Sequence, residues 1–270
     1  MNKNKLNLTQ KNFVITGAAG LLGAEHSSAL LEENANVILL DINIKKLNRL
    51  KQVLKNKYPI SDIIVFKVDI SKENLIKKVI AKLQKKKIKI HGLINNAAID
   101  AKVLKNNYMT NSQKFENTLV KEWNKHIEVG LTGAMLCAKH FGKIISKNNS
   151  GGVIINVASD LSVIAPNHEI YKKGSFKPVM YSVVKHGIIG LTKYISTYWC
   201  DKQIRCNAIS PGSIENGQSK SFITKLNKLI PMKRLAKKNE YKGAIKFLCS
   251  DASKYMTGQN LIIDGGRSTW

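Results

Sequence analysis

The chain has 270 residues, and 44 lysine and arginine residues against 18 aspartate and glutamate residues give a formal net charge of +26. This length fits one α/β domain, and 43% hydrophobic with 23% charged residues argues against a disordered chain. No apolar run approaches the roughly 20 residues that span a bilayer, and residues 1–11 lack the apolar core of a signal peptide. We therefore expect a cytoplasmic protein without membrane contact.

The predicted secondary structure alternates between short apolar runs and amphipathic stretches. The predicted strands cover residues 12–16, 36–41, 62–68, 90–95, 153–157, 204–209 and 260–263. The predicted helices cover residues 20–34, 44–55, a stretch capped by Ser71, 119–146, 179–201 and 240–250. Apolar strands that alternate with helices predict a parallel sheet with helices on both faces.

The basic charge comes mostly from lysine, since the arginines are only Arg49, Arg205, Arg234 and Arg267. Nucleic-acid-binding proteins favour arginine for phosphates and base edges. We interpret the charge as a solvated lysine surface that reflects compositional bias, with attraction of anionic ligands as the alternative. We expect no specific nucleic-acid partner.

The four cysteines are too widely spaced for a metal site. Cys137, Cys200, Cys206 and Cys249 form no C-x-x-C motif and no close pair with histidine. We expect no metal ion and reduced, mostly buried thiols.

Three glycines follow the first predicted strand. Gly17, Gly20 and Gly23 lie where the chain turns into a helix, and absent side chains there let the backbone approach a pyrophosphate. Asp41 ends the second strand, where a carboxylate accepts hydrogen bonds from ribose hydroxyls and repels a 2′-phosphate. This pattern favours NAD over NADP. The alternative for Asp41 is a solvated strand end or helix cap, and for Asp69 a neighbour of a helix cap.

Tyr181 and Lys185 are spaced four residues apart on a predicted helix, and therefore share a face. A nearby ammonium group stabilises a phenolate, so we expect the tyrosine pKa to be lowered. Such a tyrosine is a general acid/base for an alcohol/ketone pair. In a lysine-rich chain the spacing alone is a weak signal.

Several motifs in the same order resemble the short-chain dehydrogenase/reductase family over nearly the whole chain. They are the glycine turn at 16–23, Asn95-Asn96-Ala97-Ala98, Ser159, Tyr181 with Lys185, Pro211-Gly212, and the tail from Thr257 to Gly266. The resemblance implies one doubly wound Rossmann domain over residues 1–270, with about seven strands. It also implies an NAD(P)-dependent oxidoreductase that interconverts an alcohol and a ketone.

The resemblance assigns roles to individual residues. Tyr181 is implied as the acid/base, Lys185 as the ribose ligand that lowers its pKa, and Ser159 as the hydrogen-bond partner of the substrate oxygen. The implied cofactor-binding residues are Gly17, Gly20, Leu22, Gly23, Asp41, Asp69 near the adenine, Asn95, Ala97, Tyr181, Lys185 and the backbone of Ile214, which meets the carboxamide.

The family also implies a homo-oligomer, a tetramer or a dimer, through helices 119–146 and 179–201. The second helix carries apolar residues beyond one face, which calls for more than one packing partner. They include Ile188, Ile189, Leu191, Ile195 and Trp199.

The sequence departs from the family pattern at three places. The glycine spacing resembles the extended branch of the family, and Ser159 and Tyr181 are unusually far apart. Gly130 stands where the family has a catalytic asparagine that helps to hold a relay water. We favour an active enzyme in which this water is held by a backbone carbonyl alone, or by a polar group such as His168, Glu169 or Tyr171. A dead site, or added room for a bulkier substrate, are the alternatives.

Segments near 99–116, 160–177 and 213–238 are expected to rim the substrate pocket. Their polar residues favour a hydroxylated or anionic substrate such as a sugar; they include Asn106, Asn107, His168, Glu169, Tyr171, Asn216 and Gln218. The departures resemble a subgroup of bacterial surface-glycan and flagellin-modification oxidoreductases. The alternatives are a 3-oxoacyl-carrier-protein reductase, and a non-catalytic dinucleotide- or RNA-binding module, against which the intact Ser159, Tyr181 and Lys185 argue.

Overall fold

The computed structural model describes residues 5–100 and 114–270. Its strands are β1 Asn12–Thr16, β2 Asn36–Asp41, β3 Ile63–Lys67, β4 Gly92–Asn95, β5 Gly152–Val157, β6 Ile204–Pro211 and β7 Asn260–Ile263. Its α-helices are α1 Leu21–Leu31, α2 Ile44–Lys57, α3 Glu73–Lys85, α4 Val120–Ile127, α5 Gly133–Ile145, α6 Val179–Tyr198, α7 Lys220–Lys228 and α8 Lys242–Cys249.

The strands form one parallel sheet in the order β3-β2-β1-β4-β5-β6-β7. From β1 the chain moves outward through β2 and β3, and then returns to β4 on the other side of β1. This reversal opens a crevice at the carboxyl ends of β1 and β4, where doubly wound sheets bind ligands. The predicted fold class is confirmed.

Helices cover both faces of this sheet. Val14 and Ile15 are neighbours in β1, yet each is buried in a different apolar cluster. Ile15 packs in the cluster that contains Tyr241, next to α8, and Val14 packs in the cluster that contains Phe141 of α5. Because the central strands are buried on both sides, they appear in the sequence as continuous apolar runs.

Three predicted elements differ from the structure. The predicted helix 119–146 is divided by a π-helical turn over Glu128–Thr132, between α4 and α5. Helix α3 begins at Glu73 after Lys72, so Ser71 is not its cap; Ser71 instead donates to Asp69. Helix α7 was not predicted. Ser219 caps α7, where its hydroxyl accepts the Phe222 N–H.

Within the two described ranges, no helix is both long enough and apolar enough to cross a membrane. The same residues contain no group of three or more histidine, cysteine, aspartate or glutamate side chains that could hold a metal ion. Cys137, Cys206 and Cys249 are buried and Cys200 is exposed, all as free thiols.

Candidate active site

A cleft of about 1030 Å³ opens at the carboxyl ends of the central strands. This volume is at the upper end of the range of small-molecule sites. The glycine turn and Asp41 line the cleft together with Ser159 and Tyr181. The topology therefore brings both predicted halves of the site into one cavity.

The three glycines of the turn serve different purposes. Gly17 has a φ of 60°, and a Cβ there would lie 2.7 Å from the Ala97 Cα. A Cβ on Gly23 would lie 2.3 Å from the Gly17 carbonyl oxygen, so Gly23 lets α1 pack closely on the turn. Gly17, Gly20 and Leu22 line the cleft, whereas Gly23 lies behind them. The N-terminus of α1 therefore faces the cavity, where its free N–H groups suit an anion.

Asp41 faces the same cleft and also stabilises the turn. One carboxylate oxygen accepts the Ala19 N–H at 3.0 Å, and the other accepts the Asn43 N–H at 2.9 Å. The cap of α2 is Asn43. Asp41 is thus held in place by two backbone groups while it lines the cavity. Asp69 lines the cavity as well, and accepts hydrogen bonds from the backbone and hydroxyl of Ser71.

The structure corrects the expectation for Asn95. Its side chain is buried beneath the cleft and donates to Ala134 O at 3.2 Å and to Asn156 Oδ1 at 2.9 Å. Asn96 lines the cleft instead, and its amide donates to the carbonyls of Thr16 and Gly17, both at 3.0 Å. Ala97 lines the cleft as expected. Side chains alternate along an extended strand, so the prediction was wrong by one position.

The structure brings Tyr181, Ser159 and Lys185 together, although Ser159 follows β5 and the other two lie on α6. Tyr181 and Ser159 both line the cleft, and the Ser159 hydroxyl is close enough to lower the pKa of Tyr181 by hydrogen bonding. The Lys185 ammonium group is buried, donates to Val157 O at 2.8 Å, and lies 5.6 Å from the Tyr181 ring centroid. A buried cation thus lies near the tyrosine ring.

The pKa of Tyr181 is raised well above its usual value, contrary to our expectation. Burial is the main cause; the Asp100 and Asp160 carboxylates raise this pKa further, while the hydrogen bond with Ser159 lowers it. Burial also lowers the pKa of Lys185 to about 8. Tyr181 therefore holds its proton at neutral pH in this structure and is a proton donor.

The buried ion pair of Asp160 and Arg267, which the sequence did not reveal, holds Ser159 in place. The Asp160 carboxylate accepts hydrogen bonds from the Ser159 hydroxyl at 2.8 Å, from the Leu161 N–H at 2.8 Å and from Arg267 at 2.7 Å. Both charged side chains are buried. Arg267 belongs to the C-terminal tail, so the end of the chain fixes the loop that carries Ser159.

A second unpredicted ion pair lies beside Tyr181. The Lys177 ammonium group lies 3.7 Å from the Tyr181 ring centroid, closer than that of Lys185, and binds Asp100 at 2.8 Å. Both residues line the cleft. The lysine lies four residues before Tyr181, but many other lysines in the chain conceal this signal.

Comparisons with known proteins agree with the motifs. A family model described as enoyl-(acyl carrier protein) reductase matches residues 17–268. An NAD-dependent glycerol dehydrogenase of Listeria innocua is 34% identical, over 96% of this chain and 94% of its own length. Post-translational flagellin modification protein A of Campylobacter coli is 30% identical, over 96% and 98% of the two chains. The chain belongs to the short-chain dehydrogenase/reductase family.

Solved structures extend this relationship. The crystal structure of an NAD⁺-bound xylitol dehydrogenase is 25% identical, with a TM-score of 0.84, and covers 96% of this chain and 99% of its own. The chain is therefore an oxidoreductase of the short-chain dehydrogenase/reductase family, as the motifs predicted. The flagellin-modification relative also agrees with the predicted subgroup.

Packing against α6 explains why glycine occupies position 130, where the family has an asparagine. Gly130 lies buried in the π-helical turn, and a Cβ there would lie 2.5 Å from Val184 Cγ1 of α6. Val184 thus fills the space that a side chain at this position would need. Gly130 does not line the cleft, so the structure gives no support to the alternative that it leaves room for a bulkier substrate.

The rim segments are less polar toward the cleft than the sequence suggested. Ile170, Phe222 and Leu226 pack in one apolar cluster and line the cleft. His168 and Glu169 are exposed and do not line it, which removes the basis for a relay through either side chain. Tyr171 does line the cleft, and burial raises the pKa of its hydroxyl.

Some of the remaining rim residues line the cleft, and others lie outside the residues that the structure describes. Asn216 and Gln218 line the cleft. Ile214 also lines it, and a backbone bridge to Ala236 holds it in place. Asn106 and Asn107, with most of the 99–116 segment, lie outside the described residues.

Proposed function

We propose that this enzyme is an NAD-dependent dehydrogenase that interconverts a secondary alcohol and a ketone in an uncharged polyol or sugar-like substrate. The observation that carries the proposal is that one cleft contains Tyr181, Ser159 and Lys185 together with the glycine turn and Asp41. The names of the glycerol and xylitol dehydrogenase relatives support the substrate class.

The residues of the cleft fit a dinucleotide. The close contacts at Gly17 and Gly23 keep side chains out of the turn, so a pyrophosphate can approach the N-terminus of α1. Asp41 supports NAD rather than NADP, because its carboxylate suits ribose hydroxyls and repels a 2′-phosphate. Ala97 and the backbone of Ile214 are the proposed contacts of the nicotinamide end, and Asp69 that of the adenine end. When bound, NAD supplies the hydride acceptor for alcohol oxidation, and NADH supplies the hydride for ketone reduction.

Proton transfer is the proposed task of Tyr181. In ketone reduction its phenol donates a proton to the substrate oxygen, and in alcohol oxidation its phenolate takes that proton back. Ser159 hydrogen-bonds the same oxygen and holds the reacting carbon beside the tyrosine. Lys185 binds the nicotinamide ribose and stabilises the phenolate. With Gly130 in the π-helical turn, a water held by a backbone carbonyl rather than by an asparagine side chain is the proposed route for protons beyond Lys185.

We also propose that residues 1–270 form a single catalytic domain that works in the cytoplasm. Four free thiols, three of them buried, suit a reducing compartment.

Reduction of a 3-oxoacyl group on a carrier protein is the second candidate. The apolar wall of Ile170, Phe222 and Leu226 favours it, and so does the similarity to a 3-oxoacyl-(acyl-carrier protein) reductase of Brucella melitensis. A turnover assay separates the two functions: polyols and ketoses are compared with a 3-oxoacyl thioester, each with NAD(H) and NADP(H). We expect turnover of polyols with NAD. Preferred turnover of the thioester with NADPH would reject our proposal.

A further inference from the structure

The Asp100–Lys177 pair lines the cleft beside Tyr181. Asp100 follows the loop after β4, whereas Lys177 precedes Pro178, the residue before α6. Two separate segments therefore meet at one ion pair, 3.7 Å from the ring of the proposed acid/base. A substrate whose reacting oxygen contacts the Tyr181 hydroxyl must lie next to this pair.

The two partners differ in exposure. The Lys177 side chain is 10% exposed, while the Asp100 side chain is 57% exposed. An ionised carboxylate has about four acceptor positions, and its contact with Lys177 uses one. Asp100 can therefore accept hydrogen bonds from a ligand while Lys177 stays in place beside the ring.

Two ion pairs lie close to Tyr181, whereas the Lys185 ammonium group donates to the Val157 carbonyl. Lys177 is paired with Asp100, and Arg267 is paired with Asp160. A negatively charged substrate would compete with Asp100 for Lys177, and would leave a carboxylate without its partner. An uncharged hydroxyl group both donates and accepts, so it can bind both members of the pair without separating them.

We propose that Asp100 and Lys177 recognise a hydroxyl group on the carbon next to the reacting carbinol of an uncharged polyol. Asp100 accepts the proton of this neighbouring hydroxyl, and Lys177 donates to its oxygen. The pair thus selects substrates that carry two adjacent hydroxyl groups. The inference rests on the proposed function, because Tyr181 defines where the reacting carbon lies.

Paired substrates test this role. Butane-2,3-diol and butan-2-ol differ by the neighbouring hydroxyl, and kcat/KM is measured for both with NAD in wild type, Asp100→Ala and Lys177→Met. We expect the wild type to favour the diol by about tenfold or more, as one hydrogen bond to a charged group allows. Each variant should bring this ratio close to one and leave the Kd for NADH unchanged, which also reports correct folding.

Lys173→Met is the matched control, because Lys173 is an exposed lysine of the same segment that does not line the cleft. Lys173→Met should keep the wild-type ratio of kcat/KM for the diol to kcat/KM for butan-2-ol. Lys177 also contacts the Tyr181 ring, so its loss can slow all substrates. If both variants slow the diol and butan-2-ol by the same factor, the pair acts on Tyr181 alone and the inference is wrong.

Charge selection is tested with xylitol and xylonate, which differ by a terminal carboxylate. We expect xylitol to be preferred. A preference for xylonate that disappears in Lys177→Met would assign the lysine to a carboxylate and overturn the inference, while the proposed function would stand. Absence of NAD-linked turnover of any alcohol by the wild type would reject the proposed function, and the inference with it.

Discussion

At the scale of single residues, Asp41 links cofactor choice to the shape of the glycine turn. Its carboxylate lines the cleft and accepts the N–H groups of Ala19 and Asn43. Asp41→Asn keeps one oxygen, which can retain one of these two contacts, and removes the charge. We expect binding of NADP to strengthen about tenfold and binding of NAD to weaken about tenfold, through loss of a charge-assisted hydrogen bond.

Fluorescence titration with NADH and NADPH measures both dissociation constants. Asp62→Asn is the control, since Asp62 is exposed and precedes β3 at the opposite edge of the sheet. Tighter binding of NADPH than of NADH by the wild type would contradict the role of Asp41.

The raised pKa of Tyr181 predicts opposite pH profiles for the two reaction directions. Oxidation needs the phenolate, so its kcat/KM should rise by about tenfold per pH unit below the tyrosine pKa. Reduction uses the phenol and should change little until the Lys185 ammonium group deprotonates near its pKa of about 8, above which it should fall. Initial rates in both directions across pH measure this. Below about pH 8, where Lys185 keeps its charge, an oxidation rate that falls as pH rises would be incompatible with Tyr181 as the base.

The sequence predicted those site residues that belong to short motifs, whose members lie close together along the chain. The glycine turn and the Tyr181–Lys185 spacing are of this kind. The two ion pairs, Asp160–Arg267 and Asp100–Lys177, join segments that are far apart in sequence. A single amino-acid sequence does not reveal such contacts. The error at Asn95 arose because a run of two asparagines does not reveal which of them faces the cleft.

At the scale of secondary-structure elements, the contact between Gly130 and Val184 determines how the π-helical turn packs against α6. In Gly130→Ala, a Cβ would overlap a β-branched side chain that cannot rotate freely. Overpacking costs about 1–3 kcal/mol, whereas alanine returns about 1 kcal/mol of helix propensity. We expect a net loss of up to about 2 kcal/mol in the free energy of unfolding, measured with denaturant.

The control is Gly190→Ala, because Gly190 lies on α6 with no atom within 4 Å of an added Cβ. It should not destabilise the protein. In a Val184→Ala background, Gly130→Ala should lower the free energy of unfolding by less than in the wild type. A double-mutant cycle measures this difference. An equal cost in both backgrounds would show that Val184 is not the reason for glycine.

At the scale of the whole molecule, the predicted oligomer stays a prediction. Ile188 and Ile195 are buried within one chain, so they give no argument for a second copy. Val120 of α4 and Val183, Tyr194 and Tyr198 of α6 remain exposed. Such an apolar surface is typical of an interface.

Light scattering should give a mass of two or four times 30.1 kDa. Tyr194→Glu should reduce that mass, because a charge would be buried at the interface. Tyr255→Glu, at an exposed tyrosine outside these helices, should leave it unchanged. A wild-type mass near that of one chain would reject the oligomer.

The sheet was predictable because each strand is a continuous apolar run bounded by turns, and β1, β2 and β7 have the predicted limits. The rim was not. Helix α7 is amphipathic, and its buried residues Phe222 and Leu226 pack on Ile170 and Tyr171, which lie in another rim segment. Polar composition therefore suggested a more polar cleft than the folded rim provides.

The most direct test of the account is single-turnover oxidation of a polyol by wild type and Tyr181→Phe, followed by absorbance of the reduced nicotinamide. Phenylalanine keeps the ring and removes only the hydroxyl that transfers the proton. The account predicts NADH formation by the wild type, a loss of at least about a hundredfold in the variant, and an unchanged Kd for NAD. Hydride transfer by Tyr181→Phe at close to the wild-type rate would contradict it.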